Sequence, residues 1–358
     1  MLLVVLSAGE QAFRLRVPDL PSLMSLAGPQ LKPLHDLTDA QLPFVPRTFK
    51  PLRVDEPKTA GPYSAALAGP TAQDPTSVLS ARGHAFWGAI YSCKGPTPEA
   101  QGIEYKSFNE DGALLRLRPP GAKSEVFGVG VFDQAGGEGQ VAERPGAASE
   151  CAAIAFEGAV EQVEAGRGAR EALADAVSRA NETVRALGVG AITTFAGAIA
   201  VRGPDGLEVH GACIGDSRIL HFDKDGRLLE ASEQHNLGKA IFLGLVEEVP
   251  PPLALRFAAV LTRSVGSDTC EPDFFTWKLS PGDRIVVESD GLGDARELED
   301  MPSGVWHSDR CAEEQGRVLQ SFHSPGEIVN ALIGYALDQM ANGFGKPDNV
   351  TVGVIQVC

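Results

Sequence analysis

The sequence predicts an α+β domain whose antiparallel sheets carry helices on their outer faces. Two observations lead there. From about residue 84 the apolar segments follow the order strands, two helices, a series of strands, one helix and a last strand. That order segregates helices from strands, where a βαβ winding would alternate them. The turn Asp223-Lys224-Asp225-Gly226, with its Asp-Gly pair, has the chemistry of an antiparallel hairpin. There is no internal repeat.

The first six residues, Met1-Leu2-Leu3-Val4-Val5-Leu6, are apolar but include no basic n-region, and Glu10 ends the run. They read as a strand, too short for a membrane span and poorly shaped for a secretion signal. Segments 2–6 and 13–17 can pair as a short hairpin. Residues 1–83 otherwise read as a Pro-rich N-terminal extension, since eleven of the 25 prolines fall between Pro18 and Pro75 and break regular elements. Such a segment is expected to be extended or partly disordered and to drape over a main domain spanning 84–358. In that domain, 85–93 reads as a strand, and 126–132 is a buried apolar run ending in Asp133. Helices at 149–164 and 170–187 flank the glycine break Gly166-Arg167-Gly168. Strands are expected at 192–201, 207–214, 218–222, 258–262, 274–279 and 285–289. Ser324-Pro325-Gly326-Glu327 is the best helix start: an N-cap serine, proline at the first helical position and a glutamate that closes a capping box. That helix should run to about Met340 and stop near Gly343, ahead of a last strand at 350–357.

Composition narrows the function classes. With 31 basic against 47 acidic residues the net charge is -16, which argues against a nucleic-acid partner because nothing is left to neutralise a phosphate backbone. Most of that charge reads as ordinary solvated surface, and part of it is available as cation ligands. No apolar run approaches membrane length, so no membrane partner is expected. The six cysteines (Cys93, Cys151, Cys213, Cys270, Cys311, Cys358) are scattered without a CxxC pair, which suits buried thiols in a reducing cytoplasm.

Four short acidic motifs stand in order along the chain: Asn109-Glu110-Asp111, Phe132-Asp133, Ser289-Asp290-Gly291 and Asp348-Asn349. Gly215-Asp216-Ser217-Arg218 lies between the second and third. Asp133 and Asp290 each follow a strand, Asp348 precedes one, and Asp216 sits between two. A carboxylate at a strand end can bridge two cations, although an aspartate in a turn equally satisfies its own backbone. Oxygen ligands with no nearby His or Cys suit Mg²⁺ or Mn²⁺, not zinc. Two such cations side by side make a nucleophile from water and clamp both oxygens of a phosphoryl transfer, so the residues read as a metal-dependent phosphatase.

These motifs, with Thr193-Thr194 and Leu261-Thr262-Arg263-Ser264-Val265-Gly266, form an ordered set of seven that resembles the protein phosphatase 2C type, the metal-dependent Ser/Thr protein phosphatases, in a bacterial-like layout. The resemblance covers about residues 84–358. It implies a four-layer α-β-β-α sandwich of two antiparallel sheets flanked by helices, with two metals, or three, in a cleft at one end. It further implies that Asp133 bridges the metals, that Asp290 and Asp348 complete the first site, and that the Gln134 carbonyl binds the second metal. Glu110 and Asp111 would hold metal-bound waters, Asp216 with Asp290 would hold a third, weaker metal, and residues 237–252 would form a flap beside the cleft.

Three positions depart from the family's pattern. Lys106 stands where an arginine usually grips the phosphate, and a lysine offers only a point charge. Gln134 replaces a glycine, so the metal-binding carbonyl sits on a residue with a Cβ, which must hold a conformation glycine takes freely or sit in a differently arranged loop. Ala135 replaces the histidine that protonates the leaving oxygen in many eukaryotic members, which shifts the acid role to water or to a group not identified. Cys311 and Arg317 have the Cys-x5-Arg spacing of a cysteine phosphatase, but Glu313 and Glu314 between them would repel thiolate and phosphate alike. His221, His235, His307 and His323 show no metal-like pairing and read as ordinary histidines.

The expected function is therefore hydrolysis of phosphoserine and phosphothreonine in proteins by a metal-activated water, in a cytoplasmic signalling monomer with catalytic residues Asp133, Asp290 and Lys106. The alternative, motivated by the three departures, is a weak or inactive phosphatase-like domain acting as a binding or regulatory module.

Overall fold

The computed structural model describes residues 2–8, 11–17, 53–59, 62–67, 77–95, 108–118, 125–135, 145–188, 190–203, 206–246, 254, 257–295, 306–345 and 347–358. The chain opens with β1 (Leu2–Ala8) and β2 (Gln11–Val17), which pair antiparallel in the register Leu6↔Phe13, the hairpin expected there. Then follow β3 (Arg53–Val54), β4 (Tyr63–Leu67), β5 (Ser77–Arg82), β6 (Phe86–Cys93), β7 (Gly112–Arg118), β8 (Glu125–Phe132) and the two-residue β9 (Gln134–Ala135). Helices α1 (Ala147–Glu164) and α2 (Ala169–Ala186) come next, then β10 (Ile192–Thr193), β11 (Phe195–Gly203), β12 (Gly206–Ile214), β13 (Arg218–Phe222) and β14 (Leu228–Ala231). The last third holds α3 (Leu237–Phe242), β15 (Asp273–Leu279), β16 (Arg284–Glu288), α4 (Asp290–Gly293), α5 (His307–Ser321), α6 (Pro325–Ala341) and β17 (Val350–Val357).

The strands build two large sheets. One has six strands in the order β15-β12-β11-β8-β7-β4, the other seven in the order β14-β13-β16-β17-β6-β5-β3. Their ladders are antiparallel except for the β3–β5 pair. The inner faces meet through Phe127, Val129, Ala196 and Ala198 of one sheet against Phe86, Ile90, Ile285 and Ile355 of the other. On the outer face of the six-stranded sheet α1 and α2 bury an alanine- and valine-rich stripe, with Phe156 packed edge-on to Phe195 at 6.0 Å and beside Phe132 at 5.9 Å. On the far side α5 and α6 cover Val286, Val352 and Val354 with Leu319, Ile328 and Leu332. Four layers result, as the resemblance implies, because each sheet has two apolar faces and needs a cover on both. No helix among the described residues is long and apolar enough to cross a membrane.

Several elements differ from the sequence reading. Strands β3, β4 and β5 lie before residue 84 and enter the two large sheets, so sheet pairing crosses the boundary expected there. Two of them, β3 and β4, are edge strands flanked by Pro57 and Pro62, and a sheet tolerates proline at its edge. Segment 258–262 is not a strand: among the described residues its β-pairing is the isolated bridge Asn236↔Leu261, with Leu237 N–H donating to Val260 O at 2.7 Å. Thr194 interrupts 192–201, dividing it into β10 and β11. Helix α6 starts at the capping box read from the sequence, with Ser324 Oγ accepting the Glu327 N–H.

Candidate metal centre

The sheets deliver three carboxylates to one point. Asp133, Asp216 and Asp290 are all buried, and one oxygen of each lies within 4.8 Å of the others. Strand register explains the meeting. In β13–β16 Arg218 pairs with Glu288, so two residues further on Asp216 comes opposite Asp290. In β8–β11 Val131 pairs with Ala196, which brings Asp133 opposite Thr194. Three buried carboxylates at this distance repel one another in a poorly screened setting, a cost that a divalent cation offsets. The donor set is oxygen only, which fits Mg²⁺ or Mn²⁺.

Asp133 is held by its main chain. Its N–H donates to Thr194 Oγ1 at 2.9 Å, and its carbonyl accepts from the Thr194 N–H at 2.8 Å and the Thr193 hydroxyl at 2.9 Å. Thr194 Oγ1 also lies 2.6 Å from Ser217 Oγ, which ties the Asp133 turn to the Asp216 turn. Gln134 sits in extended β9 opposite Thr193, so this residue needs no glycine-only conformation. Its Oε1 accepts the Ala148 N–H at 2.9 Å, satisfying a donor in the first turn of α1, and its Nε2 reaches Glu110 Oε1 at 3.5 Å. Ala135 follows in β9 with no titratable group to offer.

Asp290 opens α4 immediately after β16. Gly291 beside it has no room for a Cβ, which would lie 1.9 Å from the Asn349 carbonyl oxygen. Ser289 and Thr351 exchange hydrogen bonds at 3.0 Å, so the Ser-Asp-Gly turn and the last strand are locked together. Asn349 in turn accepts the Glu110 N–H at 3.0 Å and donates to Lys94 O and Phe108 O. Thr351 Oγ1 donates to Asp111 Oδ2 at 2.7 Å, and Ser149 Oγ donates to Glu110 O at 2.6 Å. Glu110 and Asp111 are thereby gathered against the turn that carries Asp290. Asp348 stands outside the three-carboxylate group, and its Oδ1 accepts the Asn349 N–H at 2.9 Å. Lys106 lies outside the described residues. Of the expected flap, α3 and the turn after it are described to Val246, with Leu243 and Leu245 exposed.

Two supports escaped the sequence reading. Beneath the carboxylates, Arg218 donates from Nη2 at 2.7 Å and Nε at 3.0 Å to Glu288 Oε1, and from Nη2 to Ser308 O at 2.8 Å. Gln315 donates to the other Glu288 oxygen at 2.6 Å. Burial works against the Arg218 charge, but Glu288 and Asp309 outweigh it and hold the guanidinium above its ordinary range. The second support is His235, whose ring lies between Gly215 and Asp273. A hydrogen bond from His235 and the nearby Arg263 hold the Asp273 carboxyl below the usual carboxylate range. His221 and His307 likewise pair with Asp283 and Asp294, at 3.0 and 2.9 Å. The only hint of His235 in the sequence is the polar run Gln234-His235-Asn236 ahead of an apolar helix.

No family model and no curated protein sequence matches the chain. Solved structures do match in fold. The chain is similar to PppA, described as a key regulatory component of T6SS in Pseudomonas aeruginosa (23% identity, TM-score 0.51, 77% of this chain and 99% of that one). It is similar to the catalytic domain of the serine/threonine protein phosphatase PstP in complex with two manganese ions (23% identity, TM-score 0.51, 76% and 98%). It is also similar to the serine/threonine phosphatase Stp1 from Staphylococcus aureus (18% identity, TM-score 0.54, 77% and 96%). The fold is that of the protein phosphatase 2C type, and the chain spans nearly the whole of each of these structures.

Proposed function

We propose that the chain is a metal-dependent phosphoprotein phosphatase that hydrolyses phosphoserine and phosphothreonine. The observation that carries this is the buried group Asp133, Asp216 and Asp290, standing at strand ends in a fold shared with Ser/Thr phosphatases. When bound, two divalent cations in such a centre, Mg²⁺ or Mn²⁺, supply Lewis-acid charge and a nucleophile from water at neutral pH. The chain's own residues hold and orient the reactants. Asp133, Asp216 and Asp290 would be the anionic ligands, with Asp348 as a fourth carboxylate and the Gln134 carbonyl as a neutral donor. Glu110 and Asp111, fixed by Asn349 and Thr351, would accept hydrogen bonds from waters of the loaded centre. Lys106 supplies positive charge to the phosphate without the two-pronged grip of an arginine. Because Ala135 has no proton to give, a seryl or threonyl leaving oxygen takes its proton from water. The substrate class is a phosphorylated protein, met by a cytoplasmic monomer in signalling.

Hydrolysis of p-nitrophenyl phosphate and of a phosphothreonine peptide, with Mn²⁺, with Mg²⁺ and with chelator, tests this reading. Metal-dependent turnover of both is expected, lost in chelator and in Asp290→Asn. Turnover that survives chelator, or an Asp290→Asn protein of full activity, would refute it. Ala135, and the position of Asp348 outside the carboxylate group, favour a second reading, a binding or regulatory module. Its signature is Mn²⁺ binding with no turnover of either substrate.

A further inference from the structure

Three consecutive residues, Gly215, Asp216 and Ser217, carry the Asp216 carboxylate, and two consecutive residues from elsewhere grip them. The His235 N–H donates to Gly215 O at 2.8 Å, and the Gly215 N–H donates back to the His235 ring at Nδ1, at 3.2 Å. Gln234 Nε2 donates to Asp216 O at 3.3 Å, while its Oε1 accepts from Trp306 Nε1 at 2.8 Å. The turn leaves little freedom. Gly215 has φ of +94°, and a Cβ there would lie 2.6 Å from Thr194 Cγ2.

The ring itself is oriented from behind. Because Nδ1 accepts, the proton of the neutral imidazole is assigned to Nε2, which faces Asp273 Oδ2 at 2.9 Å. Arg263 Nη1 holds the other Asp273 oxygen at 3.1 Å, and the Thr262 N–H donates to His235 O at 2.8 Å. A carboxylate that fixes a histidine, which in turn fixes the segment carrying a ligand, is the arrangement by which outer contacts tune a metal site.

We propose that His235 is a positioning residue that sets the direction of the Asp216 carboxylate, so that cation binding at Asp216 depends on the hydrogen bond from Gly215 to its ring. This rests on the metal-dependent reading above. A buried histidine that merely fills space would act on stability alone, and two variants separate the cases. His235→Asn keeps an acceptor near the Nδ1 position but cannot reach Asp273. His235→Gln reaches Asp273 but offers no acceptor to Gly215.

Mn²⁺ is titrated calorimetrically into the full chain and these variants, with Asp216→Asn as the reference that deletes the ligand. His235→Gln should bind about tenfold more weakly in the step that Asp216→Asn abolishes, and His235→Asn should stay within about twofold of the parent. Melting temperatures recorded alongside should fall similarly for both. Equal weakening in the two variants, or parental binding by His235→Gln, would overturn the proposal and leave the phosphatase reading standing. No Mn²⁺ binding by the parent would overturn the metal reading and this proposal together. Imidazole ¹⁵N shifts give a readout without metal: Nδ1 should appear as an unprotonated acceptor, and the opposite tautomer would sink the argument.

Discussion

Glu288→Gln changes one oxygen to a nitrogen in the floor beneath the carboxylates, and its cost can be worked from the contacts. Arg218 and Glu288 are 2% and 0% exposed and meet at 2.7 Å, so neither is compensated by water. Burial pushes the Glu288 carboxyl up, with Arg218 drawing it back, so the intact pair gains little over a well-packed apolar pair. Breaking the pair is another matter. The guanidinium cannot lose its proton, and once Glu288 is neutral the ion pair left to it among the described residues is with Asp309 at 3.8 Å. Gln315 Nε2, now facing an amide, also loses a charged acceptor. An uncompensated buried charge costs about 3–5 kcal/mol. At about 2 °C per kcal/mol for a domain of this size, the melting temperature should fall by roughly 6–10 °C. Circular dichroism melts of the single variant and of Arg218→Met with Glu288→Leu would read it, the double variant staying near the parent because no charge is stranded. A single variant melting within about 2 °C of the parent, or a double variant as unstable as the single, would refute the reasoning.

Two further outcomes follow from the same geometry. Gly291→Ala places a Cβ 1.9 Å from the Asn349 carbonyl and should cost at least about 3 kcal/mol, together with Mn²⁺ binding; urea unfolding checks the first and calorimetry the second. Burial pushes the Cys213 thiol up to about 12, so in the native protein at pH 8 it should resist alkylation and become labelled only on unfolding, as peptide mass spectrometry would report.

What the sequence exposed, and what it hid, follows from the range of each interaction. The start of α6 was legible because a capping box is complete within four residues. Helix α5 was not, since its N-cap is Trp306, with no side-chain cap to announce it. Strand β7 carries adjacent leucines at 114 and 115 with no period-2 signal, because all of its first four residues are buried. Asp133, Asp216 and Asp290 could be picked out because a carboxylate beside a turn at a strand end is a local pattern, repeated in order. His235 could not, because its partners Gly215 and Asp273 stand 20 and 38 residues away and no local pattern joins them.

The centre is therefore set by register more than by spacing. Asp216 and Asp290 are 74 positions apart (290 − 216), and only the pairing Arg218↔Glu288 makes them neighbours. A slip of one residue in that ladder would turn one carboxylate to the opposite face of the sheet and dissolve the group. The same two residues that define the register also form the buried ion pair, whose charges find each other in only one alignment. Since such a pair contributes little net stability, its role here is best understood as selection of that alignment. Asp133 is pinned differently, by two hydrogen bonds to Thr194 across β8–β11, and the Thr194–Ser217 contact then couples the ladders of the two sheets. Loops between the motifs can lengthen or shorten without moving these three oxygens, as long as each ladder keeps its register.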